Sequence, residues 1–230
     1  MLSFVLEKTF HSPISKLDTE IPCPLILDVG CGTGAVLNFL QKYGKSVGID
    51  FSPIAVSYCR KRQQTATAVA SAMSLPFGDD TFDLAVSLDV LCHKGVTNKQ
   101  LPLQEMARVL KPGGLVIMNL PAFQILYSSH DRQVHTDRRF TRKEVIRMLR
   151  HAGMEPIYHT YWNTVLLPLI LCSRVIRKIL PARKSDVASS SGSIARLILL
   201  SAFGFERRVL RLTALPVGLS IMIAAKKIQS

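Results

Sequence analysis

The chain has 230 residues, 48% of them apolar and 20% charged, enough to bury a core and too hydrophobic for a disordered polymer. No run of about 18 apolar residues occurs, so an ordinary membrane-spanning helix is not expected. Residues 1–137 hold 12 basic and 12 acidic residues, whereas residues 138–230 hold 17 basic and 4 acidic, so the net charge of +13 sits in the back half, where an anionic partner or surface would be met.

Residues 1–24 read as a lead-in that ends in Pro22-Cys23-Pro24. Residues 25–29 are a short apolar run stopped by glycine, which predicts a buried strand. A helix is expected over 33–43 and a second strand over 46–50. Ser52-Pro53 is an N-cap and first-turn pair for a helix running to Arg62. Strands follow at 66–70 and 82–88, then a helix over 98–110, broken by Lys111-Pro112-Gly113-Gly114, and a fifth strand at 115–120. This alternation of strand and helix belongs to parallel α/β folds.

Beyond Pro121 the texture changes. Residues 122–140 are a polar loop or short helices rich in His, Asp and Arg. Thr141 caps a helix to residue 151, Gly153 ends it, and 155–162 is a strand. Residues 164–180 and 194–212 read as two basic amphipathic helices joined by a Ser-rich stretch, before a last strand at 218–226. Their cationic edges suit a membrane surface, an oily acceptor, or packing onto the sheet.

The five cysteines, Cys23, Cys31, Cys59, Cys92 and Cys172, form no Cys-x-x-Cys pair. That argues against a disulfide framework or a zinc site and for a reducing, cytoplasmic setting. The opening MLSFVLEK is too short in apolar length, and lacks the basic lead, for a signal peptide.

The densest information lies in Leu27-Asp28-Val29-Gly30-Cys31-Gly32-Thr33-Gly34. Three alternate glycines after a strand let the backbone turn tightly and bring a ligand against bare main chain. The spacing differs from the dinucleotide pattern, and the preceding Asp28 suits a cationic amino-acid group where a pyrophosphate would be repelled. Asp50 closes the second strand, where an acid accepts hydrogen bonds from ribose hydroxyls, and Phe51 beside it can pack on a purine.

These residues, with Leu75-Pro76-Phe77, Thr81-Phe82-Asp83-Leu84 and the run from Ala107 to Gly114, resemble the class I S-adenosylmethionine-dependent methyltransferases of type 11. The resemblance covers roughly residues 25–162. It implies a Rossmann-like, mostly parallel sheet with an antiparallel last strand, and a helical insertion near the C-terminus. The divisions are then a lead-in (1–24), a core (25–162), a basic insertion (163–215) and a final strand (216–230). The cofactor implied is S-adenosyl-L-methionine, with S-adenosyl-L-homocysteine as product. Asp28, Gly30, Cys31, Gly32 and Gly34 would surround its methionine part, Asp50 its ribose, and Phe51 its adenine. Ser71, with Ala72 and Met73, stands where relatives often carry an acid for the adenine. Leu88 would close over the methionine, with Asp89 near the methyl group.

Methyl transfer from a sulfonium needs alignment and, where required, a base. His93, just past the fourth strand, is one candidate base or acceptor contact. His130 with Asp131, and His135, are others, in the polar loop past the fifth strand. Arg138 and Arg139 would grip a carboxylate or phosphate, and Trp162 adds an acceptor contact. No metal site is expected. The aromatic tetrad of adenine-amino methylation is absent after the fourth strand, and the stacking surface is thin, with one Trp and five Tyr, which argues against nucleic acid. The expected activity is methylation of a small, hydrophobic or lipid-like and anionic acceptor at oxygen or nitrogen, with peripheral membrane contact open. RNA or protein methylation, and a non-catalytic cofactor-binding role, are the alternatives.

Overall fold

The computed structural model describes residues 23–64, 66–168, 204–206, 208–210 and 212–228. The lead-in before residue 23 and most of the two expected amphipathic helices lie outside the described residues.

Seven strands form one sheet: β1 (Leu25–Val29), β2 (Lys45–Asp50), β3 (Thr67–Val69), β4 (Phe82–Leu88), β5 (Leu110–Pro121), β6 (Met154–Trp162) and β7 (Ser220–Lys227). Their order is β3-β2-β1-β4-β5-β7-β6. The first five strands run parallel, and β7 inserts antiparallel between β5 and β6. Helices α1 (Ala35–Leu40), α2 (Pro53–Lys61), α3 (Leu101–Val109), α4 (Ser129–Gln133) and α5 (Arg142–His151) occupy the connections.

Alternation along the strands explains the two-sided core. Leu27, Val29, Ala85, Val116 and Met118 pack with Leu103 and Met106 of α3 and Val145 and Leu149 of α5. Ile26, Leu84, Val86, Leu115 and Ile117 face the other way, with Leu40 of α1 and Leu210. Leu210 and the buried Glu206, which accepts the Thr164 N–H at 3.0 Å, tie part of the basic stretch to the sheet.

Several boundaries differ from expectation. The first helix begins only at Ala35, because Gly34 caps it in a left-handed conformation without a side-chain bond. The 98–110 helix starts at Leu101; Asn98 instead accepts the Gln100 N–H in the preceding turn. Lys111-Pro112-Gly113-Gly114 does stop α3, yet it bulges within a longer β5, which pairs Phe82 with Leu110 and next Leu84 with Leu115. Thr141 caps α5 as expected, accepting from the Glu144 N–H. Sheet order reverses beside β1, so the carboxyl ends of β1, β2 and β4 open a crevice at the switch point.

Candidate functional site

That crevice holds a cavity of about 350 Å³ lined by Gly30, Asp50, Phe51, Ser71, Ala72, Leu88, Asp89, Val90 and His93, among others. Its floor is the glycine bend. Gly30, Gly32 and Gly34 all take positive φ (+77°, +54° and +82°), which side-chain-bearing residues adopt at a cost. A Cβ on Gly30 would lie 2.3 Å from Val90 Cγ2, whereas one on Gly32 would meet nothing within 4 Å.

The bend is held from outside by α2 and the turn after it. Cys59 Sγ donates to the Gly32 carbonyl, Arg62 Nη1 to Thr33 and Gln64 Nε2 to Gly34. From within, the Gly32 N–H donates to Asp50 Oδ2 at 2.9 Å, and the Ser52 N–H donates to Asp50 Oδ1 at 2.9 Å. Asp50 is thereby fixed at the end of β2 with lone pairs remaining on both oxygens. Phe51 is 63% exposed on the cavity wall, with its ring centroid 5.3 Å from that of His93.

Asp28 lies beneath the bend and outside the cavity wall. It is 2% exposed, and its Oδ2 has no partner among the described residues. Burial, with the nearby charge of Asp50, pushes its carboxyl up to about 7. An orphaned carboxyl under a glycine cradle, a fixed strand-end acid and an exposed aromatic together fit a cationic nucleoside such as S-adenosylmethionine. Asp50 would take its ribose, Phe51 its base, and the bare main chain at Gly30 its amino-acid end.

Ser71 lines the same cavity, and its Oγ accepts the Met73 N–H at 3.1 Å, which leaves its hydroxyl proton to donate. Met73 itself turns aside, its sulfur accepting from Thr97, and Cys31 is buried against Leu37 and Cys59. Neither side chain lines the cavity: Cys31 packs beneath the bend and Met73 lies in the turn that carries Ser71.

A second cavity, of about 780 Å³, adjoins the first past the ends of β4 and β5. Its lining includes Cys92, Leu126, His130, Val134, Arg139 and Leu219, and it shares Asp89 with the first cavity. Asp89 holds a positive φ of 59°. Its side chain is open to the cavities, yet the atoms packed around the carboxyl displace water from it, and this desolvation pushes it up to about 6, against the opposing hydrogen bond from Asn119 and the charge of Arg139.

The histidine and arginine candidates change roles. The expected His130–Asp131 pair does not form. Asp131 is buried, caps α4 through Ser128 and makes a two-point ion pair with Arg139 at 2.9 and 3.1 Å, while His130 stands exposed at the cavity wall. Arg139 also donates to the Ala122 carbonyl, so it is a strut of the second cavity and not a free anion clamp. Arg138 pairs with Glu144 and lies over the Phe140 ring.

His93 accepts the Gly95 N–H on Nδ1 at 3.0 Å, which leaves the neutral ring's proton on Nε2. Desolvation, then His135 and Lys99, lower its pKa. It therefore faces the first cavity as a neutral donor, and the expected base on this ring would have to give up its Gly95 bond. His135 packs edge-on to His93, with ring centroids 5.9 Å apart, and does not line either cavity. Trp162 donates from Nε1 to Asn119 Oδ1 at 2.8 Å. Asn119 was not singled out from sequence; its signal is a lone amide in the apolar run of β5.

Residues 27–118 match the family model described as a methyltransferase domain. Demethylmenaquinone methyltransferase of Tropheryma whipplei is 42% identical over 122 residues, 51% of this chain and 50% of that protein. The 2-methyl-6-phytyl-1,4-hydroquinone methyltransferase of Synechocystis sp. is 35% identical over 152 residues, 62% of this chain and 44% of that protein. Human "Probable tRNA methyltransferase 9B" is 35% identical over 109 residues, 47% of this chain and 24% of that protein. The chain thus spans half or less of the length of these relatives. A solved S-adenosylmethionine-dependent methyltransferase of Methanosarcina mazei shares the fold, with a TM-score of 0.60 at 19% identity, covering 95% of this chain and 98% of that one. Sequence family, sheet order and glycine bend agree, and the chain carries, in residues 27–118, a type 11-like class I S-adenosylmethionine-dependent methyltransferase domain.

Proposed function

We propose that this chain methylates a small, amphipathic, hydroquinone-like or lipid-like acceptor at a position that loses a proton as it is methylated. The observation that carries this reading is the pair of adjoining cavities that meet at Asp89. The first suits the cofactor. The second combines Pro121, Leu126, Val134 and Leu219, for an apolar body, with Asp89, Ser128, His130 and Thr136, for a polar head. The two quinone-type relatives support the same class.

When bound, S-adenosylmethionine supplies an electrophilic methyl on a sulfonium sulfur. The chain's own residues orient and desolvate. Asp50 and Phe51 anchor the nucleoside end, and Leu88 and Val90 form the apolar wall beside Asp89. The Arg139–Asp131 pair fixes the turn that roofs the second cavity. Alignment of this kind can supply several kcal/mol of the barrier reduction.

The tRNA methyltransferase relative and the +13 charge favour RNA as the second reading. Purified chain with methyl-labelled S-adenosylmethionine is offered, separately, a prenylated naphthohydroquinone, a prenylated benzohydroquinone and total tRNA. Label in a quinol is the expected result. Label in tRNA alone, or in none of the three, overturns the reading.

A further inference from the structure

A line of three side chains runs from β6 through β5 to the loop after β4. Trp162 Nε1 donates to Asn119 Oδ1 at 2.8 Å, and Asn119 Nδ2 donates to Asp89 Oδ1 at 2.9 Å. An indole N–H can only donate, so it must meet the amide oxygen; the amide nitrogen is then necessarily turned toward Asp89. The Asn119 carbonyl also accepts the Asp89 N–H at 2.9 Å. Main chain and side chain of one buried residue thus hold Asp89 in its left-handed conformation, and strain of that kind concentrates at functional sites.

Oδ1 is occupied by the Asn119 amide, and no further hydrogen bond to the Asp89 side chain forms among the described residues. Asp89 is also the residue common to the two cavities. The geometry points to Asp89 as the proton acceptor of the transfer step, with Asn119 and Trp162 as positioning residues that engage Oδ1 and turn Oδ2, the oxygen with no hydrogen bond among the described residues, to the incoming proton. This rests on the two-cavity reading above. In the overall exchange the acceptor's bond to hydrogen and the methyl's bond to sulfur break, and one bond from acceptor to methyl carbon forms. The electron pair left behind neutralises the sulfonium, and the proton goes to Asp89 Oδ2.

The groups around Asp89 set its charge. Asp50 and His93 line the first cavity, and Cys92, His130, Asp131 and Arg139 the second. The Asn119 amide and Arg139 favour the carboxylate and desolvation opposes it, which raises Asp89 above the ordinary carboxylate range and makes it a better proton acceptor than a free aspartate.

The test titrates Asp89 by carboxyl-carbon NMR in the full chain bound to S-adenosylhomocysteine, which also certifies that each variant is folded. Asn119→Leu is expected to raise the apparent pKa by about one unit, since a charge-assisted hydrogen bond is lost. Trp162→Phe, which keeps the aromatic bulk, should raise it in the same direction by less. The double variant should match Asn119→Leu alone, because Trp162 acts only through Asn119. A pKa indifferent to Asn119→Leu, or additive shifts in the double variant, overturns the positioning role. With a quinol that accepts methyl, Asp89→Asn should lower kcat by about 100-fold or more. Wild-type kcat in that variant overturns the proton-acceptor role while the proposed function stands. Failure of every acceptor removes the function, and the NMR titration still decides the relay.

Discussion

Replacing Asp28 by Asn should make the ligand-free protein more stable and a poorer cofactor binder. Asp28 is 2% exposed, with one oxygen unpartnered among the described residues, and its carboxyl is pushed up to about 7 from an ordinary value of 3.8. Between those values the folded chain binds more protons than the unfolded one. Stability therefore falls as pH rises from about 4 to about 7 and levels out above. A shift of about three units, at about 1.4 kcal/mol each, sets an upper bound of about 4 kcal/mol. If half of that is realised, the uncharged isostere raises Tm at about pH 8 by about 4–8 °C in a chain of this size. Below about pH 4, where Asp28 is protonated in both states, the gain should vanish. Differential scanning calorimetry of ligand-free protein and Asp28→Asn across this range reads the effect. A gap between the two that does not depend on pH, or a variant that melts lower at pH 8, would refute the reasoning. A cationic ligand favours the ionised carboxyl, so the same variant should lose cofactor affinity as it gains stability.

Gly30→Ala places a methyl 2.3 Å from Val90 Cγ2 at a φ of +77°, and left-handed strain alone costs about 1–2 kcal/mol. Cofactor affinity should fall by about tenfold or more in titration calorimetry, whereas wild-type affinity would mean the bend does not touch the ligand. Arg139→Ala strands the buried Asp131 carboxylate and should cost about 3–5 kcal/mol, seen as a lower midpoint in urea unfolding; an unchanged midpoint would show the pair to be dispensable. His93 should appear in nitrogen NMR as the Nε2–H tautomer and titrate below its ordinary 6.5. An Nδ1–H ring would contradict its bond to Gly95.

The fold was legible because its signals are local. An apolar run stopped by glycine marked β1 and the run after the Gly78-Asp79-Asp80 turn marked β4, both close to their observed bounds, and Ser52-Pro53 and Thr141 start their helices as capping chemistry requires. Alternate glycines and the acid at the end of β2 marked the crevice beside β1 for the same reason. The Lys111–Gly114 turn read as a break, but its absorption as a bulge into β5 depends on pairing with Phe82, 28 residues away.

The segment that lines the second cavity was marked by His130, Asp131 and Arg139, but their roles were hidden because they are assigned by long-range partners. Arg139 reads as a free cation in sequence, and only the fold brings Asp131 and the Ala122 carbonyl around it. Trp162 and Asn119 lie 43 residues apart, and their bond exists because β7 places β6 near β5. Likewise Cys59, Arg62 and Gln64 show no motif, yet each holds one carbonyl of the glycine bend.

Titration of ligand-free chain with S-adenosylhomocysteine, followed by calorimetry, addresses the crevice beside β1 most directly. One saturable binding event, weakened by Gly30→Ala and by removal of the Asp50 carboxylate, is the expected result. Absence of any heat from folded protein, or binding indifferent to both substitutions, would contradict the assignment of that crevice to the methyl donor.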